Sequence, residues 1–141
     1  MQLRSFVVAA AFCLLAAGAA EARVVHFTAV LKGADEVPPN ATTGTGAVDA
    51  VLDTDTKSFS YTVTYSGLTG PAVAAHFHGP AAAGVNAPPM VAMTSLASPI
   101  SGTAGLSDGQ IADLSAGKWY FNVHTAAHPG GEIRGQLAAA N

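Results

Sequence analysis

The chain has 141 residues, half of them hydrophobic and 11% charged, with 6 basic side chains against 9 acidic ones for a net charge of −3. No basic cluster occurs, which excludes nucleic acid as an expected partner. The one cysteine, Cys13, cannot form a disulfide within the chain or build a thiolate-bound cluster.

Residues 1–22 read as a secretory signal peptide. Arg4 precedes an apolar run from Phe6 to Ala17, and small residues continue up to Ala20-Glu21-Ala22. Cleavage is expected after Ala22, with Ala20 as the alternative, and Cys13 leaves with the segment. Bulky Phe12 before it, and its place inside the apolar run, are unlike a lipid-attachment cysteine. The run is shorter than the roughly 20 apolar residues that a spanning helix needs, and no later segment approaches that length, so no membrane span is expected. Residues 23–141 are then a single exported domain, secreted or periplasmic.

Period-two patterns dominate the chain beyond residue 22. Val25 to Leu31 is rich in β-formers, and Gly44 to Leu52 alternates small or polar with apolar residues. The stretch Asp53-Thr54-Asp55-Thr56-Lys57 suits a turn, because Asp and Thr side chains bond nearby backbone groups, and Ser58 to Tyr65 returns as the second strand of a hairpin. Gly67 to Pro71 breaks the chain before a strand through Val73-Ala74-Ala75-His76-Phe77-His78. Gly79 to Pro89 reads as a loop, and Met90 to Met93 and Ile100 to Leu106 as further strands. One short helix is expected from Asp108 to Leu114, with Ser107 as N-cap and Gln110 three residues on. Trp119 to His124 and Glu132 to Leu137 close the chain as two strands around an Ala126 to Gly131 turn. Many short strands with turn signals between them predict an all-β, antiparallel sandwich or barrel with at most one short helix.

Four of the five histidines fall in two stretches of the chain, 76–78 and 124–128. On a strand, His76 and His78 share one face about 6 to 7 Å apart, while Phe77 turns to the core. On the later strand Trp119, Phe121 and Val123 take one face and Tyr120, Asn122 and His124 the other. If the two strands are close, His76, His78 and His124 converge on one metal ion. His128, beyond a turn, is either a fourth ligand or a solvated residue; His26, with no partner in sequence, is read as a non-ligand. Neutral imidazole suits copper and zinc, and copper(II) binds a given nitrogen site most tightly, which puts copper, as Cu(I) or Cu(II), ahead of zinc. Glu132 and Arg134 share a face, where Glu132 is expected either to accept the free N–H of a ligating histidine or to form an ion pair with Arg134. The Asp35-Glu36-Val37-Pro38-Pro39 loop reads as structural, stiffened by its prolines.

The segments Leu31-Lys32-Gly33-Ala34-Asp35-Glu36-Val37-Pro38-Pro39, Ala75-His76-Phe77-His78-Gly79-Pro80, Tyr120 to Thr125 and Pro129-Gly130-Gly131-Glu132-Ile133-Arg134-Gly135-Gln136-Leu137, in that order, resemble the chordin-type (CHRD) domain over Val25 to Ala138. That family occurs in exported bacterial proteins and in animal chordins, and the resemblance implies a β-sandwich without an agreed enzymatic activity. Ala29 to Gly33, Ser66 to Gly70 leading into His76-Phe77-His78, and Gly117 to His124 are also similar in order to segments of copper-zinc superoxide dismutases. That likeness implies a Greek-key β-sandwich or barrel of that family's kind, with His76, His78 and His124 as copper ligands. The chain lacks that family's cysteine pair, and the Gly79 to Pro89 loop holds no histidine or aspartate for a bridging ligand or a zinc site.

The expected function is therefore an exported copper-binding protein that sequesters, stores or transfers the metal at a mononuclear histidine site. A copper enzyme of the superoxide-dismutating kind and a metal-free structural or interaction module are the alternatives. No Ser-His-Asp arrangement, carboxylate pair or phosphate-binding glycine loop can be assembled. A homodimer or an envelope protein is a possible partner, through an open sheet edge.

Overall fold

A computed structural model describes residues 23–140; the segment read as a signal peptide lies outside the described residues. Nine strands form one antiparallel sheet: β1 (Val24–Lys32), β2 (Thr45–Asp53), β3 (Ser58–Ser66), β4 (Ala72–His78), β5 (Pro89–Ala92), β6 (Ile100–Gly105), β7 (Tyr120–Thr125), β8 (Ile133–Gln136) and β9 (Ala138–Ala139). Among the described residues one α-helix, α1 (Asp108–Ser115), sits between β6 and β7. The all-β antiparallel expectation holds. Among the described residues no helix is long and apolar enough to cross a membrane.

The strand order is β5-β4-β7-β8-β1-β2-β3-β6, with β9 also paired to β1. Phe59 of β3 and Phe77 of β4 stand five places apart in that order, yet their rings meet edge to face at 5.2 Å between centroids. The sheet has therefore curled round on itself into a nearly closed barrel, as accumulated strand twist and a shared apolar face require. The remaining gap lies between β5 and β6. Residues 93–99 cross it, with the Tyr65 N–H donating to Ser98 Oγ at 3.0 Å and the Tyr65 hydroxyl to the Leu96 carbonyl. The neighbours β3–β6 and β4–β7 are not consecutive in the chain, and crossovers at the barrel ends join them.

Alternation decides which residues fill the interior. In β1, Phe27, Ala29 and Leu31 are buried while Val30 is 70% exposed. Leu52, Phe59, Val63, Phe77, Trp119, Phe121, Val123, Ile133 and Leu137 complete a core with at most 1% exposure each. The β2–β3 hairpin turns where the Asp53 carboxylate accepts from the N–H groups of Asp55 and Thr56 at 2.9 and 3.0 Å. The expected cap of α1 is complete, with Ser107 and Gln110 each bonding the other's backbone N–H.

Candidate metal centre

The site is built on the outer face of β4 and β7. Phe77 points inward and is fully buried, so its neighbours His76 and His78 point outward. β7 runs antiparallel beside β4 with Ala74 opposite His124, His76 opposite Asn122 and His78 opposite Tyr120. His124 is thus the diagonal neighbour of His76, a placement from which long side chains meet. The ring centroids stand 5.3 Å apart for His76 and His78, 5.2 Å for His76 and His124, and 6.4 Å for His78 and His124. One ring nitrogen from each of the three lies within 4.8 Å of the others.

Each ring has its own fixing. His124 Nδ1 is 2.9 Å from the Pro129 carbonyl, an oxygen that can only accept, so the proton sits on Nδ1 and Nε2 carries the lone pair. That Nε2 is 3.3 Å from His76 Nδ1. His78 Nδ1 is 2.9 Å from the Ala87 carbonyl, and its Nε2 is 3.0 Å from the Asn122 amide oxygen. Burial holds the His78 pKa below the ordinary histidine value, against hydrogen bonds that would raise it. Burial also lowers that of His76, helped by the neighbouring His124 and His78. Rings kept neutral in this way offer lone pairs, the form a metal takes.

Behind the histidines stands a stack. The Tyr120 ring lies parallel to His78 at 4.7 Å, and the Arg134 guanidinium covers Tyr120 at 3.4 Å from its centroid. Arg134 is 1% exposed, donating through Nη1 to Asn86 Oδ1 at 2.9 Å and through Nη2 to the Val85 carbonyl at 2.6 Å. The Tyr120 hydroxyl is bonded to both the N–H and the carbonyl of Ala87. These contacts, with Gln136 donating to the Ala81 carbonyl, press loop 79–88 against the polar face.

The other expected site residues are placed differently. Glu132 is fully buried and serves no histidine. It accepts from Thr42 Oγ1 at 2.6 Å, from Thr69 N at 2.8 Å and Oγ1 at 2.7 Å, and from Thr125 Oγ1 at 2.6 Å. Burial would raise its pKa, but these donors hold the carboxylate at about 2. Glu132 is therefore a strap between β7 and two distant loops, and it is not ion-paired with Arg134. Arg134 touches the site through Tyr120. His128 lies outside the three-histidine group, in the turn where its N–H donates to the Thr125 carbonyl at 3.1 Å, beside a 230 Å³ crevice shared with Glu36 and Pro39. His26 is exposed on the far wall of the barrel, opposite Val51.

Sequence reasoning passes over Asn122, Tyr120 and Glu36 as parts of the site. Asn122 and Tyr120 carry a signal, since alternation puts them on the His124 face. Glu36 carries none, because only the assembled barrel buries it.

No curated protein and no solved structure matches the chain, so the likeness to copper-zinc superoxide dismutases gains no support beyond the segments that carry it. Residues 27–137, nearly all of the described domain, match the CHRD domain, and the chain belongs to the CHRD domain family.

Proposed function

We propose that this CHRD domain is an exported copper-binding protein that sequesters, stores or hands on copper at His76, His78 and His124. The supporting observation is the meeting of three imidazoles on two paired strands, with burial lowering the pKa of His76 and His78. The donor set speaks for the oxidation state. Among the described residues the cluster contains no cysteine or carboxylate, and Met90 and Met93 are partly buried against the hydrophobic core. An all-nitrogen site suits Cu(II) better than Cu(I), and by the divalent affinity order it takes copper ahead of zinc. Bound copper would be held by the three histidines, with the Pro129 and Ala87 carbonyls orienting two of them. Export rests on the charged, apolar and small-residue order of residues 1–22.

Calorimetric titration of residues 23–141 with Cu(II), Cu(I) and Zn(II) tests the reading. It is expected to give about one Cu(II) per chain, binding tighter than zinc, with a rise in Tm that grows with the logarithm of free copper. Alanine at His76, His78 and His124 in turn should weaken binding each time. Equal affinity in all three variants would remove the site.

A further inference from the structure

Asn122 borders all three histidines. In the register of β4 and β7 it is directly opposite His76, diagonal to His78, and two residues from His124 on the same face of its own strand. It is also the least exposed of the four, at 3% against 8% for His78, so its amide forms the floor on which the imidazoles meet. Its Oδ1 stands 3.0 Å from His78 Nε2. The other nitrogen of that ring is engaged with the Ala87 carbonyl at 2.9 Å, which leaves Nε2 as the one free to bind. An amide oxygen facing a ring lone pair is unfavourable unless a cation lies between them or the amide turns its nitrogen to the ring. The spacing suits the cation. Bonds of about 2.0 to 2.2 Å to nitrogen and oxygen, meeting at angles from a right angle to the tetrahedral one, set ligand atoms about 2.8 to 3.6 Å apart. The 3.3 Å between His76 Nδ1 and His124 Nε2 falls in the same range. Tyr120, the remaining side chain of β7 on this face, is committed elsewhere: its ring stacks on His78 and its hydroxyl bonds Ala87.

We propose that Asn122 is a fourth ligand of the metal centre, giving its Oδ1 to an ion held by His76, His78 and His124, and that this oxygen tilts the site toward Cu(II). Two paired strands then supply two ligands each, His76 and His78 from β4, Asn122 and His124 from β7. A neutral amide oxygen is a hard donor, unlike the thioether and thiolate sulfurs that select Cu(I), so it adds more to the binding of the divalent ion than to that of the monovalent one. Asn122 thus acts on which oxidation state is held, while the imidazoles serve both.

This assignment rests on the metal-binding function proposed for the three histidines, and its test tells the two apart. The ¹³C- and ¹⁵N-labelled chain is titrated with Zn(II) as a diamagnetic probe. The ring nitrogens of His76, His78 and His124 and the side-chain ¹³Cγ of Asn122 are expected to respond together, the carbonyl signal moving downfield as its oxygen is bound. Asn122→Leu, apolar and of comparable size, should lower Cu(II) affinity by roughly tenfold and leave Cu(I) affinity within about twofold, both read by competition with chelators. A side chain that merely orients His78 would on removal weaken both oxidation states alike, and one that merely obstructs the ion would on removal strengthen both; either result overturns the proposal. An Asn122 ¹³Cγ that stays in place while the three imidazoles respond overturns it too, and leaves the histidine site standing. If no histidine signal moves, the metal reading fails and the fourth ligand falls with it. Should the leucine variant not fold, the amide signal of the parent protein decides alone.

Discussion

His76 Nδ1 and His124 Nε2 stand 3.3 Å apart across two paired strands. An ion with metal–nitrogen bonds of about 2.0 Å in tetrahedral array has edges of about 3.3 Å between its ligand atoms. The pair is already spaced for a shared ion, and His78 need close only a small distance to complete three ligands. Replacing His76 or His124 by alanine is therefore expected to lower Cu(II) affinity by on the order of 100-fold or more, beyond what loss of a mere orienting partner costs. Competitive titration against a chelator measures it. Both side chains are half exposed, so the melting temperature of the metal-free protein should hardly move. A tenfold or smaller loss in both variants would mean that the pair is not a ligand pair.

Glu132 supplies a second outcome. Its pKa in the fold lies below the ordinary carboxylate value, so the stability it contributes is present above about pH 4.5 and lost as the pH falls toward about 2. The shift to about 2 corresponds to at most about 3 kcal/mol. Glu132→Gln should lower the unfolding free energy by an amount approaching that at pH 7 and by little near pH 2, read from urea denaturation at each pH. A loss under about 0.5 kcal/mol at pH 7 would show that the three threonines do not depend on its charge.

For Glu36 the sign reverses. A carboxyl raised to about 7 binds its proton more tightly in the fold than in the unfolded chain, so stability is highest below about pH 4.5 and falls as the pH rises through about 7. Glu36→Gln removes that penalty. Its unfolding free energy should exceed the parent's by about 2 to 3 kcal/mol at pH 8 and match it near pH 4. A variant less stable than the parent at pH 8 would contradict the burial argument.

Arg134→Lys tests the stack. Lysine keeps the charge but loses the plane that covers Tyr120 and the fork that reaches Asn86 and Val85 together. Losing about 1 to 2 kcal/mol of charge-assisted hydrogen bonding should quicken exchange of the Ala87 amide, which donates to the Tyr120 hydroxyl, by on the order of tenfold. Hydrogen exchange by mass spectrometry over residues 79–88 reads this directly. Unchanged exchange there would mean that the loop is held by its other contacts alone.

Local chemistry makes much of the fold legible in sequence. The β2–β3 hairpin, the Ser107 cap of α1 and the inward Phe77 all arise from a few neighbouring residues, and each is found where those residues put it. Pairing between β4 and β7 is legible only in part, because the histidines make it useful but nothing local dictates that strands 48 residues apart at His76 and His124 lie side by side. The Glu132 strap is hidden for the same reason. Its donors, Thr42, Thr69 and Thr125, come from three separate segments, and ordinary threonines give no sign of a shared acceptor. Glu36 is the least visible. Its loop reads as polar and proline-stiffened, while its unusual proton affinity arises only when loop, turn and sheet close over it.

The oxygens that aim His78 and His124 are the main-chain carbonyls of Ala87 and Pro129. Side-chain identity at those two positions is thus nearly free to drift, since any residue that keeps the backbone path keeps the oxygen. Loop length is not free in the same way. One residue gained or lost between Gly79 and Pro88, or between Thr125 and Gly131, would slide the carbonyl out of reach and leave the ring to rotate. The part of the site most open to damage is therefore a spacing, which a tally of matching residues does not reveal.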